Sequence, residues 1–302
     1  MHTEKKYCIL IAGPTAVGKT ALAIDIARHF STEIISADSR QCFKELNIGV
    51  AKPSAEELSQ VPHHFINSHS IQEEVNAAVF EEYALEKVQQ VFQTKNVVVI
   101  TGGTGLYLKA FCEGMDEVPA IDIAVRNGII EAYQQNGLQW LRQQVQQHDP
   151  AYFATGEIQN PQRMMRALEV VCSTGRSVLS FQTNTQKHRP FTIIKMALEL
   201  PRELLYNRIN NRVDAMMTMG LLQEAKQLVS YRHLNALQTV GYRELFEYLD
   251  GNGTGEQAAE RIKLNTRHYA KRQMTWFKKD AGISWCPPDA DFVLKVIKAQ
   301  MI

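Results

Sequence analysis

The stretch that most limits what this chain can fold into is Ile9-Leu10-Ile11-Ala12-Gly13-Pro14-Thr15-Ala16-Val17-Gly18-Lys19-Thr20-Ala21-Leu22-Ala23. Its apolar start reads as a buried strand, Gly13 to Thr20 fits the phosphate-loop pattern G-x-x-x-x-G-K-[ST], and Ala21 onward continues as a helix. Gly13 and Gly18 let the backbone curl, so that successive N–H groups converge at a helix start whose dipole favours an anion. Lys19 adds a point charge that reaches terminal phosphates, and the Thr20 hydroxyl is a candidate Mg²⁺ ligand. Gly13, Pro14, Thr15, Ala16, Val17, Gly18, Lys19 and Thr20 are thus the expected polyphosphate cradle. The loop alone admits a diphosphate or a triphosphate.

Downstream, residues 19–30 place Leu22, Ile26 and Phe30 on one helical stripe, and Glu33 to Ser36 read as a second strand. That strand runs into Ala37-Asp38-Ser39-Arg40-Gln41, polar residues at a carboxyl end, where open α/β sheets place ligands. Asp38 is a candidate for chemistry beside the loop, with turn capping as the plainer reading. His63 and His64 sit on a short strand and face opposite ways, which favours a structural role over a metal site. Asn76 caps a predicted helix reaching about Thr94. Val97 to Ile100 is a continuous apolar strand of the kind found in parallel sheets covered on both faces. It leads into Thr101-Gly102-Gly103-Thr104-Gly105, a glycine-rich turn without the acidic residue that a Walker-B strand supplies.

Beyond about Met115 strand signals disappear. Helices are predicted near residues 122–135, 138–148 and 161–174, until a strand pattern returns at 191–200. The economical division is a core of residues 1–114 and 190–302 interrupted by a helical insertion, 115–189. Pro201 opens a long helical region carrying Arg208 and Arg212, Gln238 to Glu244 leads into another helix, and a basic helix follows the break at Gly251 to Gly255.

The chain's 45% hydrophobic content suits a globular protein of one large or two modest domains. A polar start, Met1 to Lys6, and a first apolar run too short to span a bilayer predict no export signal and no membrane association. Five scattered cysteines without a C-x-x-C pair suggest neither a disulfide framework nor a zinc site and fit a reducing, cytoplasmic setting. The net charge of +1 conceals a local excess: Arg261 to Lys279 holds seven Lys/Arg and no acidic residue, a candidate nucleic-acid face or a solvated helix face.

Taken together, GPTAVGKT, SADSRQ, NIGVAKP, TGGTGLY, NPQRMMRALEV, RINNRVDAMMTMGLLQEA, QTVGYRE and NTRHYAKRQMTWF resemble, in order and approximate spacing over nearly the whole chain, the bacterial tRNA dimethylallyltransferases. The phosphate loop is common to many nucleotide enzymes; the set is not. The resemblance implies a P-loop NTPase-like α/β core with a parallel sheet flanked by helices, a helical insertion and a helical C-terminal tRNA-binding segment. It implies transfer of a dimethylallyl group from dimethylallyl diphosphate to N6 of adenosine 37, with diphosphate rather than ATP on the loop. A missing Walker-B carboxylate is then expected.

By the same resemblance Asp38 is the base and Lys19, Thr104 and Arg212 stabilise the leaving diphosphate, Arg208 being the alternative to Arg212. Mg²⁺ on Thr20 is the implied cofactor. The implied tRNA contacts, to the anticodon stem-loop, are Asp38, Ser39, Arg40, Gln41, Thr104, Arg126, Gln162, Arg163, Met164, Met165, Arg166, Thr239, Gly241, Tyr242, Arg243, Arg267, Lys271 and Arg272, with Arg261 and Lys263 on the same helix. Tyr269 and Trp276 are candidates for base stacking, or for the core. Phe43 and Val50 stand where relatives often carry Tyr and Thr, so a hydroxyl contact there is absent. A monomer is the expected state. A small-molecule or nucleotide kinase is the main rival, and a non-catalytic RNA-binding or nucleotide-switch protein the second.

Overall fold

The computed structural model describes residues 5–183 and 185–301, so most of the polar start lies outside the described residues. The chain forms two compact units: one from its two ends, through Glu113 and again from His188, and one from Gly114–Lys187. In the first unit six parallel strands lie in the order β3-β2-β4-β1-β5-β6. They are β1 (Tyr7–Ala12), β2 (Ile34–Ser36), β3 (His63–His64), β4 (Val97–Gly102), β5 (Thr192–Leu198) and β6 (Ser284–Cys286). The two central strands are the two most apolar runs. Tyr7, Ile9, Ile11, Val97 and Val99 share a buried cluster with Leu22 and Ile26 of α1 (Lys19–His29), Ile209 of α8 (Arg202–Thr218), and Val293 and Ile297 of α12 (Ala290–Gln300). Alternation sends Cys8, Leu10, Val98 and Ile100 to the other face, where they too are buried. Leu10 there lines a cavity with Leu108 of α4 (Gly105–Glu113) and Phe277 of α11 (Gly255–Phe277).

Local chemistry explains where the elements start. Asn76 Oδ1 accepts from Ala78 N–H and Val79 N–H and opens α3 (Ala77–Val91), while Ser54 and Glu57 close a reciprocal capping box on α2 (Ala55–Gln60). His64 faces Glu33 at 2.6 Å and His63 the Val61 carbonyl at 2.7 Å, so the adjacent imidazoles serve separate partners. The strand Ser284–Cys286 and helix α12 were not foreseen. Beside them α9 (Leu221–Leu228) and α10 (Tyr242–Leu249) complete the first unit's helices.

The second unit holds α5 (Ile123–His148), α6 (Pro150–Thr155) and α7 (Pro161–Thr174) around Leu141, Val145, Tyr152, Met164, Met165 and Leu168. Gly137, at φ 73°, breaks α5 where two helices were predicted. Asn160 caps α7 and Pro161 fills its first position.

Close approach, not turn geometry, accounts for the glycines at the end of β4 and just beyond it. A Cβ on Gly102 would fall inside the contact radius of the Ala37 carbonyl, and one on Gly105 would collide with the Trp276 ring. Gly102→Ala is therefore expected to destabilise the protein by about 3 kcal/mol, the upper range for an overpacked core site. Unfolding by denaturant checks this, and an unchanged midpoint would contradict so close a contact between Gly102 and Ala37.

Candidate active site

The phosphate loop joins β1 to α1 and takes three left-handed positions, Gly13 (φ 144°), Ala16 (φ 65°) and Gly18 (φ 109°). A Cβ at Gly13 would lie 3.0 Å from the Leu198 carbonyl oxygen, so glycine there serves both conformation and clearance. Gly18 is the N-cap of α1 and no side chain caps the helix, leaving its first N–H groups directed at the loop's concavity. Lys19 Nζ donates to the Pro14 carbonyl at 2.8 Å. Burial pulls the Lys19 pKa down to about 8, against the opposing pull of Asp38. From α8, Arg208 Nη1 donates to the Val17 carbonyl and Arg212 Nη1 to Thr15 Oγ1, each at 3.3 Å. Both arginines thus serve the loop, and Arg212 also lines the cleft in front of it.

That cleft, about 1100 Å³, lies at the carboxyl ends of β1, β2 and β4. Its second wall is the turn after β2. Asp38 Oδ1 accepts from Arg40 N–H at 2.9 Å and Gln41 N–H at 3.2 Å, so the aspartate does cap its own turn. Both bonds fall on Oδ1; among the described residues Oδ2 accepts none. Thr104 Oγ1 accepts from Ser39 N–H at 3.0 Å, and Thr104 N–H donates to the Ala37 carbonyl at 3.3 Å, tying the glycine-rich turn to the Asp38 turn. Among the described residues lining the cleft two are acidic, Asp38 and Glu57, and Glu57 Oε2 accepts from Ser54 N–H at 2.8 Å.

A third wall is the loop at Asn47–Pro53. Gln41 Nε2 donates to the carbonyls of Val50 and Ala51, and Glu224 of α9 accepts from Ile48 N–H (2.8 Å) and Gly49 N–H (2.9 Å). Sequence reading missed Glu224, because nothing local marks a glutamate whose partners lie far away in the chain. It also missed Gln273, which is buried in the cleft wall: Oε1 accepts from Thr15 N–H and Nε2 donates to the Gly103 carbonyl, each at 2.9 Å. Tyr269, one turn before it, contacts the Thr104 hydroxyl, and burial pushes its phenol up to about 12.

Several candidate RNA contacts need correction. Tyr242 is fully buried: its hydroxyl donates to Glu224 Oε1 at 2.6 Å, and its ring lies where a Cβ on Gly49 would be. Met164 and Met165 are buried in the second unit's core, because two positions along a helix turn them to the side opposite the exposed Gln162 and Arg163. Gln162 and Arg163 are exposed on α7, and Arg166 is half-buried. Arg163 pairs with Glu157, and Arg126 and Arg166 both approach the buried Glu169 at 3.5 Å. On α11, Arg261 pairs with Glu247 and Lys263 with Asp214 and Glu260, which narrows the basic face. Arg267 donates to Asn210, Arg272 sits over the Tyr269 ring, and Lys271 is exposed. Thr239 and Gly241 line the cleft and Arg243 is exposed. Trp276 packs its ring edge against Gly105 while remaining 37% exposed.

A parallel sheet with this loop after its first strand defines a P-loop NTPase-like enzyme core. A sequence model of the IPP transferase family matches residues 41–280, and the chain belongs to that family. It is 46% identical to tRNA dimethylallyltransferase 1 of Phocaeicola vulgatus, over 93% of this chain and 94% of that protein. It is also 46% identical to the tRNA dimethylallyltransferase of Cytophaga hutchinsonii, over 95% of each. Among solved structures it resembles the full-length tRNA isopentenylpyrophosphate transferase of Bacillus halodurans, with a TM-score of 0.71 and 34% identity over 99% of this chain and 96% of that one. It likewise resembles a eukaryotic dimethylallyltransferase captured acting on tRNA, with a TM-score of 0.73 and 28% identity over 90% of this chain and 70% of that one. Among the described residues no helix is long and apolar enough to cross a membrane, and no three His, Cys, Asp or Glu residues cluster as metal ligands.

Proposed function

We propose that this protein transfers the dimethylallyl group of dimethylallyl diphosphate to N6 of adenosine 37 in tRNA and releases diphosphate. The observation that carries this reading is that the anion cradle and the Asp38 carboxylate share one cleft, in which the other acidic side chain among the described lining residues, Glu57, is turned back to the N-cap of α2. A kinase would ask one carboxylate to serve both metal and nucleophile. Alkyl transfer from a diphosphate asks only for a base and for anion stabilisation.

In the reaction, adenine N6 attacks C1 of the dimethylallyl group, the C1–O bond breaks, and its electron pair leaves with the diphosphate. The N6 lone pair is delocalised into the ring, so proton loss as the C–N bond forms lowers the barrier. Asp38 Oδ2 takes that proton, while the Arg40 and Gln41 N–H groups hold Oδ1 and fix the carboxylate's orientation. Charge developing on the diphosphate meets the uncapped N–H groups of α1, Lys19 and Arg212, while Arg208 braces the loop through the Val17 carbonyl and Thr104 supplies a hydroxyl from the facing turn. The half-buried Thr20 hydroxyl lines the cleft and suits Mg²⁺, which keeps most of its waters and takes few protein oxygens. Bound there with the diphosphate, Mg²⁺ would neutralise part of the leaving group's charge.

To reach the cleft the base must leave its stack. Ser39, Arg40, Gln41, Thr239 and Gly241 are the residues proposed to receive it, and Arg243, Arg267, Lys271 and Arg272 those proposed to meet the anticodon stem's phosphates. In the second unit, taken by itself, Gln162, Arg163, Arg166 and Arg126 are the donors proposed for the tRNA.

Incubation with undermodified tRNA and either labelled dimethylallyl diphosphate or γ-labelled ATP tests the proposal. Prenyl label recovered as N6-dimethylallyl adenosine is the expected result. ATP consumption with unlabelled tRNA would hand the site to the kinase reading.

A further inference from the structure

We infer that Gln273 is a positioning residue for the transfer reaction, locking the phosphate loop to the turn that carries Thr104. The inference rests on the transferase reading above. Its basis is a bridge that sequence motifs do not reveal. Gln273 is 6% exposed, and its amide joins two backbone groups distant in the chain, Thr15 N–H through Oε1 and the Gly103 carbonyl through Nε2, both at 2.9 Å. The partners themselves fix which end of the amide is which, since an N–H must face oxygen and a carbonyl must face N–H. A Cβ on Gly103 would occupy the space of Nε2, so a glycine at that position is the complement of this amide.

Two consequences follow from the geometry. Thr15 N–H is already committed to Gln273, so the cradle's backbone donors begin at Ala16; Thr15 Oγ1 is held separately by Arg212. The same amide sets the spacing between the loop, which binds the donor's diphosphate, and the Gly103–Thr104 turn, which in turn holds Ser39 and the Asp38 turn. Donor and base are thus registered through one side chain. Loss of the bridge leaves Lys19, Arg208, Arg212 and the start of α1 in place. Donor binding should then largely survive, while the alignment of C1 with N6 and Asp38 suffers, and an ångström of misplacement is enough to slow such a step by about 100-fold.

Two variants separate this role from simple packing. Gln273→Leu keeps the volume and removes both hydrogen bonds. We expect kcat to fall roughly 30- to 100-fold with the KM for dimethylallyl diphosphate changed less than about threefold. Gln273→Glu keeps the acceptor for Thr15 N–H but sets a carboxylate against the Gly103 carbonyl; only the protonated acid restores both bonds. The ratio of its kcat to that of wild type should therefore rise as pH falls from about 8 to about 6, burial and the facing carbonyl both raising the new group's pKa. Lys19 and Arg212 on the loop side, and Asp38, Arg40 and Tyr269 on the turn side, are present in both proteins, so the ratio removes the titration they have in common. A Gln273→Leu enzyme with wild-type kcat, a loss confined to KM, or a pH-independent Gln273→Glu ratio would each overturn the role of Gln273 alone. A wild type that transfers no prenyl label would instead remove the transferase reading, and this role with it.

Discussion

Asp38→Asn should reduce prenyl transfer by roughly 100- to 10,000-fold while tRNA affinity changes less than about threefold. The asparagine side-chain oxygen can still accept from Arg40 and Gln41 N–H, so the turn that Asp38 caps survives, as does the Ser39–Thr104 bond beside it. What disappears is the capacity of the outer oxygen to accept the N6 proton, and general-base catalysis is worth about 10²–10⁴ in rate. Single-turnover transfer with saturating donor, together with tRNA binding by filter retention, checks both halves. Parallel losses of rate and tRNA affinity would mean that Asp38 holds the RNA rather than serving as the base.

Lys19→Ala should lower kcat/KM by roughly 100- to 1000-fold, the scale found on removing one preorganised donor from a developing anion. The same lysine predicts a pH dependence whose sign can be worked out. Its pKa in the free protein is lowered to about 8 by burial, and a bound anion raises it. Below about pH 8 the ammonium is already charged and diphosphate affinity carries its full contribution. As pH rises through about 8 a proton must be taken up on binding, and affinity declines. Calorimetric titration of inorganic diphosphate between about pH 7 and 9 should show this decline in wild type relative to Lys19→Ala. Parallel curves for the two proteins would exclude Lys19 as the titrating group.

The sequence was most legible where one local rule governs a whole element. The loop at residues 13–20, the capped start at Asn76 and the interruption between the helices predicted at 122–135 and 138–148 all stand where residue type alone puts them. Contiguous motifs were less reliable guides to which side chains face a partner. Within Gln162–Arg166 two methionines turn into the core, and within Thr239–Glu244 the tyrosine turns inward to Glu224. The cleft's fasteners, Glu224 and Gln273, escaped because each joins elements far apart in sequence, and an ordinary glutamate or glutamine carries no local mark of that. β6 was missed for a simpler reason: three residues carry too little periodicity to distinguish a strand.

The pairing of β1 with β5 has a temporal side. Tyr7 leaves the ribosome before the second unit is made, whereas its register partner Thr192 emerges only after the whole of that unit has been synthesised, and Gln273 later still. The nascent phosphate loop therefore waits, flanked by one strand whose far edge is still unmade. Meanwhile α5 to α7, with their own apolar cluster and short-range contacts, are free to collapse first. The anion cradle is translated before the strand and helix that complete it, so a chain cut short before α11 ends carries the signature of the site without its shape.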